Sequence, residues 1–143
     1  MIRSVLAVIA GLVALTIVSF GIEAAADPLL LHLFPHALPN AAALAASVPA
    51  RLFMIAYTMF SIAVGGYVTA LIARRRPILH AAIMGAIEAA FTLYVMIAAP
   101  FPEVRQAPAW GWIATLILII PAACAGAAVR GSRATSDRPL AHA

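Results

Sequence analysis

Apolar residues in this chain collect into four long runs, residues 4–26, 52–73, 78–99 and 109–129, separated by short polar or proline-bearing stretches. A helix that crosses the hydrocarbon core of a bilayer, about 30 Å thick, needs about 20 mostly apolar residues at 1.5 Å of rise each. All four runs reach that length, so the pattern predicts an all-α membrane bundle of four transmembrane helices. Asp27-Pro28 is expected to close the first run, Arg74-Arg75-Arg76-Pro77 divides the second from the third, and Pro100 to Pro108 divides the third from the fourth. Proline cannot continue a helix at such points. The Arg74 to Pro77 turn is short enough to require an antiparallel hairpin of the second and third spans.

The stretch 27–50 is too apolar for an ordinary exposed loop, with Leu29, Leu30, Leu31, Leu33 and Phe34 together and Ala41 to Ala46 after Pro39-Asn40. Pro28, Pro35, Pro39 and Pro49 exclude a fifth spanning helix. This stretch is therefore expected to lie in the membrane interface or to cap the bundle, while the polar tail 130–143 is expected to be disordered.

Composition strengthens the membrane reading. Of 143 residues 65% are hydrophobic and 10% charged, against roughly 45–50% and 25% in soluble domains, and a soluble fold of this length could not hide so much apolar surface. One domain is expected, residues 1–129, followed by the tail. The formal charge of +4 does not point to nucleic acid, because all nine basic residues are Arg at or beyond the ends of the apolar runs, with no basic face interleaved with aromatics.

Arg3, Arg74, Arg75, Arg76, Arg130, Arg133 and Arg138 fall on one side of the predicted bundle, and Arg51 and Arg105 on the other. By the positive-inside rule both termini are cytoplasmic and the arginine triplet is a topology anchor. The stretches 27–50 and 100–108 then face outward, with Trp110 and Trp112 at the outer interface. Arg3, the first apolar run and Ala24-Ala25-Ala26 also fit a cleavable signal peptide. Glu23 and the length of the run argue against cleavage, which would leave three spans and an unchanged carboxyl-terminal side. Cys124 stands alone in an apolar run and forms no internal disulfide.

Helices in lipid associate by close approach at small residues. Ser61, Gly65 and Thr69 recur every four residues in the second span and Ala81, Gly85 and Ala89 in the third, so these two are expected to meet along those faces. Ala7 and Gly11 in the first span, and Ala122 and Gly126 in the fourth, offer similar surfaces, and Pro121 is expected to kink the fourth.

Glu88 lies about halfway along the third span, where an ionised group costs roughly 2.5–3.5 kcal/mol. Remaining neutral, bonding Thr58 or Ser61, or lining a wet cavity would each offset that cost. It is either a proton or cation site or a polar clamp between helices. Glu23 and Arg51 fall near the outer ends of adjacent spans and are expected to form an ion pair. His32 and His36 are four residues apart, but Pro35 interrupts the helix that a metal pair would need, so no metal site is expected. No Walker loop, hydrolytic triad, GxGxxG turn, zinc pair or CxxC motif occurs, and neither an enzyme nor a cofactor is expected.

Gly65-Gly66-Tyr67-Val68-Thr69-Ala70, followed by the Arg74 to Pro77 turn and His80-Ala81, resembles small bacterial four-helix membrane proteins grouped as families of unknown function. The resemblance implies a bacterial inner-membrane setting and no activity. Small multidrug transporters also have four helices, but their essential carboxylate belongs to the first, whereas Glu88 is in the third. The expected function is that of a non-enzymatic accessory, structural or partner-binding membrane protein, in contact with lipid and with a membrane partner or further copies of itself. A proton-coupled transporter or ion-conducting oligomer using Glu88 is the alternative.

Overall fold

A computed structural model describes residues 2–73, 75–98 and 102–136, and side chains within these except at 102, 103 and 133–136. Among the described residues six helices follow one another: α1 (Ile2–Leu33), α2 (Ala41–Ala46), α3 (Val48–Ile72), α4 (Pro77–Ala98), α5 (Pro102–Gln106) and α6 (Ala109–Ser136). Among the described residues α1, α3, α4 and α6 are long and apolar enough to cross a membrane. They correspond to the four predicted runs.

Several boundaries differ from the expected ones. The first helix does not close at Asp27-Pro28 but runs through Pro28 to Leu33. Proline removes one backbone hydrogen bond and crowds the preceding turn, a cost that is lowest near a helix end where water can reach the freed carbonyl. At 32 residues, about 48 Å, α1 exceeds the bilayer core by roughly three turns. Helix α3 starts at Val48 rather than 52, with Pro49 in its first turn where no N–H is needed. Helix α6 passes through Pro121 and extends to Ser136, so the first residues of the expected tail are helical; residues 137–143 lie outside the described residues, as does Arg74 of the triplet.

The segment after α1 covers one end of the bundle. Asn40 starts α2 by accepting a hydrogen bond from Ala43 N at 2.9 Å. Leu38, Leu44 and Ala50 are buried together, with Leu30 and Leu31 of α1 against them. Burial of these side chains explains why 27–50 is apolar without being a fifth span.

The bundle is sized in reverse of a soluble protein. Large side chains such as Phe20 (68% exposed) and Ile117 (66% exposed) point outward, whereas Ala7, Ala81, Ala123 and Ala127 are buried. The core cluster of Val8, Leu15, Ile62, Met84, Ile119 and Ala123 draws on all four long helices. Helix α3 is central and packs most extensively on α6 and α1.

The small-residue faces meet different partners from those expected. A Cβ built on Gly65 would lie 2.7 Å from Gly11 O and 3.0 Å from Leu15 Cβ, both of α1. On Gly66 it would overlap the Ala123 carbonyl of α6, and on Gly126 the Ala63 carbonyl of α3. Gly85 faces Ala123 and Ile120 of α6 as well. The second and third predicted spans, α3 and α4, meet in part along the expected face, since a Cβ built on Gly65 would also lie 3.2 Å from Met84 Sδ of α4, but the backbones closest to Gly65 and Gly85 are those of α1 and α6. Helices α3 and α4 also touch where Thr69 Oγ1 donates to Met84 Sδ at 3.6 Å and where Ala70 and Ala81 cluster with Ala127 of α6; Ala89 packs against the main core. A short connection fixes which helices are neighbours in sequence, but the smallest residues decide which backbones come closest.

At the opposite end from α2, Arg3 Nε donates to Ile72 O at 3.0 Å, joining the start of α1 to the last turn of α3 and satisfying a carbonyl left free at a helix end. Arg76 turns the chain into α4 in the left-handed region (φ 50°), and its carbonyl accepts from His80 N at 3.2 Å.

Replacing Gly126 by Val, which forces a side chain into the Ala63 backbone, should destabilise the bundle by at least the 1–3 kcal/mol typical of overpacking. Gly21→Ala, where nothing lies within 4 Å, should change stability by less than about 0.5 kcal/mol. Denaturation by sodium dodecyl sulfate in mixed micelles measures both, and equal effects would contradict the packing described.

Candidate functional site

The end capped by α2 is not filled solid. A partly open cavity of about 460 Å³ lies there, within the size range of small-molecule sites. Each helix gives it at least one residue. Ser19, Glu23 and Asp27 come from α1, Leu44 and Ala45 from α2, Arg51, Tyr57 and Thr58 from α3, Thr92 from α4, Val104 from α5, and Trp112 and Thr115 from α6. Ser19, Glu23 and Asp27 succeed one another at four-residue intervals, so one face of α1 presents all three. That stripe exists only because α1 continues to Asp27 and beyond.

Arg51 is the most constrained of these side chains. It is only 8% exposed, and its Cζ lies 4.6 Å from the centroid of the Trp112 ring. Such stacking contributes about 0.5–2 kcal/mol, more when water is excluded. Gly111 makes the arrangement possible, since a Cβ there would come within 2.5 Å of Arg51 Nε and 3.0 Å of its Cγ. Among the described residues neither Arg51 Nε nor Asp27 Oδ1, both buried, has a hydrogen-bond partner. The expected ion pair between Glu23 and Arg51 is not formed among the described residues. Both groups face the same cavity, and the guanidinium lies on Trp112 instead. Tyr57, itself buried, lines the same cavity.

The hydroxyls near the cavity are partly satisfied within their own helices. Thr115 Oγ1 donates to Gly111 O at 2.8 Å, and Ser61 Oγ, fully buried, donates to Tyr57 O at 2.8 Å. This back-bonding within one helix is the cheapest way to bury a hydroxyl in an apolar surround. It also means that Ser61 uses its proton on its own backbone and not on Glu88.

Glu88 does not line this cavity. It lies half-buried at the edge of the packed face of α4, in line with buried Ala81 and Gly85, and one turn before Thr92, which does line the cavity. Thr58, the other proposed neighbour, opens into the cavity. His32 ends α1 and His36 lies in the turn that follows, both exposed. Among the described residues no group of three or more His, Cys, Asp or Glu side chains gathers.

Sequence reasoning assigned Trp112 to the interface and took Asp27 as a helix stop and as a neighbour of His32 and His36, and so missed both as parts of one site with Arg51. The available signal was the Ser19, Glu23, Asp27 periodicity, hidden by taking Pro28 as the end of the helix. No family model matches the chain, and neither a curated protein nor a solved structure is significantly similar to it.

Substituting Gly111 by Ala should push Arg51 off the Trp112 ring, because the end of a flexible side chain yields more readily than backbone. The expected result is a changed Trp112 emission in a Trp110→Phe background, with stability lowered by about 1 kcal/mol or less. Unchanged emission would mean that Arg51 does not lie on Trp112.

Proposed function

We propose that this chain is a non-enzymatic, multi-pass protein of a bacterial plasma membrane that works by binding a small polar molecule or partner group in the cavity between α1, α3 and α6. The observation that carries this reading is the buried Arg51, stacked on Trp112, with an Nε–H that no group among the described residues accepts. A buried charged group without a full set of partners is costly, and a cavity beside it gives a ligand room to complete the set.

The seven-to-two division of arginines supports cytoplasmic termini, which puts the cavity on the outer side. About 20 residues of α1 counted from Val5 reach the far boundary of the hydrocarbon near Ala24, so Glu23 and Asp27 come to the depth where water and lipid headgroups begin. The likeness of the Gly65 to Ala70 stretch to small bacterial membrane proteins supports the setting. Lipid covers the outward large side chains, and a second copy or a membrane partner would pack on the same apolar faces.

In a Cys124→Ala background, cysteines at Thr58 and Thr115 should react with an impermeant maleimide added outside intact cells, while one at Ile17, which faces outward, should not. A fluorescent protein fused after Ala143 should fluoresce in the cytoplasm. Unlabelled cavity positions, or an external carboxyl terminus, would sink the reading.

A second reading, transport of protons or cations, is favoured by Glu88, a half-buried carboxyl with no hydrogen bond to Thr58 or Ser61 and one turn from the cavity residue Thr92. If it holds, Glu88→Gln should cut proton flux into proteoliposomes at least ten-fold without changing the unfolding midpoint. Under the binding reading the wild-type protein carries no flux, and Glu88→Gln alters stability by less than about 0.5 kcal/mol.

A further inference from the structure

The cavity has two poles of opposite charge. One pole is Arg51, nine-tenths buried, and the other is Asp27 with Glu23 one turn before it; Arg51 Nε and Asp27 Oδ1 are buried without a hydrogen-bond partner among the described residues. All three face one hollow, yet no ion pair joins Arg51 to either carboxyl among the described residues. Salt bridges close readily when long side chains are free to reach each other, and here the reach of Arg51 is taken up by Trp112 and Gly111. The poles are thus held apart by packing.

Resting on the binding function proposed above, we propose that the cavity takes a zwitterion: a compound whose anionic oxygens sit against Arg51 and whose primary ammonium sits against Asp27 and Glu23. A guanidinium that lies on an aromatic ring uses its face for the ring and keeps its in-plane N–H groups for a second partner, which suits the paired oxygens of a carboxylate or phosphate. An ammonium offers three donors to carboxylate oxygens that otherwise stay unpaired. A ligand bearing only a negative charge would complete Arg51 and face the carboxyls, and one bearing only a positive charge would do the reverse. Only a molecule with both groups satisfies both poles. Two sources share this chemistry, a free amino acid and the ethanolamine phosphate headgroup of an outer-leaflet lipid.

The test uses the full chain carrying Trp110→Phe, so that Trp112 alone reports, purified in a neutral detergent. Glycine and phosphoethanolamine are titrated, with acetate and methylammonium as single-charge controls, and the protein is compared in nanodiscs of phosphatidylcholine with and without phosphatidylethanolamine. The expected result is a saturable change in Trp112 emission with a zwitterion at least ten-fold tighter than with either control, weakened at least ten-fold by Arg51→Lys and by Asp27→Asn. Tight binding of the free amino acid identifies a soluble ligand; a change seen with phosphoethanolamine and in the ethanolamine nanodiscs but not with glycine identifies the headgroup. Should acetate bind as well as the zwitterions and Asp27→Asn have no effect, the zwitterion is wrong while the binding cavity stands. Silence of Trp112 to every probe, with Thr58→Cys and Thr115→Cys still labelled from outside, overturns the ligand class; silence together with failed labelling overturns the cavity reading as well. Asp27→Asn, on the open side of the site, keeps the inference falsifiable if Arg51→Lys does not fold.

Discussion

Gly65 and Gly66 stand side by side on α3 and face different neighbours, one the backbone of α1 and the other that of α6. Two adjacent residues of a helix point about 100° apart, so a glycine pair opens two grooves where a single glycine opens one. Close approach of three backbones at the middle of α3 makes that helix the axis of the bundle, and α4 fills the remaining side through Met84, Gly85 and Ala81. In lipid, where apolar side chains gain little by leaving the solvent, backbone proximity and dispersion must hold helices together. That is why glycine and alanine stand where the backbones come closest, with Ile62, Met84 and Ile119 filling the space between them.

Tight contact at the middle has a consequence at the ends. Toward α2 the core is no longer built from glycine and alanine, and longer groups such as Arg51, Tyr57 and Trp112 occupy the space between helices. Long polar side chains fill such space irregularly, and a hollow remains. The cap of Leu38, Leu44 and Ala50 reduces its opening without closing it. A packed waist and a looser, polar end are therefore two results of one distribution of residue size along the chain.

The four spans were legible because length and hydropathy suffice to recognise a membrane helix. Less legible was everything that depends on which face of a helix meets which partner. Small-residue spacing marked Gly65, Gly85 and Gly126 as close-approach positions, but spacing has no address: it cannot tell that the α1 backbone, beside Met84 of α4, lies against Gly65. The same limit applied to charge. Glu23 and Arg51 were recognised as sharing a depth, and they do share a cavity, yet whether they touch depends on Trp112 and Gly111, two residues whose spacing carries no sign of a role beside Arg51. Glu88 drew attention because a carboxyl in the middle of an apolar run is costly by itself, whereas Asp27 next to a proline looked like ordinary punctuation.

Pro28 shows how one local rule can hide a site. Proline inside a helix costs about 3 kcal/mol in general, and on that rule the helix stops before it. Here the cost falls close to the end of α1, where only Leu29 to Leu33 follow, and those residues gain burial of Leu30 and Leu31 against α2 and its flanking turn. Leu30 and Leu31 are partly buried there, and a share of the roughly 1.5–3 kcal/mol that full burial of a leucine is worth offsets part of that cost. Continuation of the helix then carries Asp27 round to the face of Ser19 and Glu23, opposite Arg51. The polar cavity thus owes part of its lining to tertiary burial overriding a backbone preference, and its second pole would rest on Glu23 without Asp27 if α1 ended where proline alone would end it.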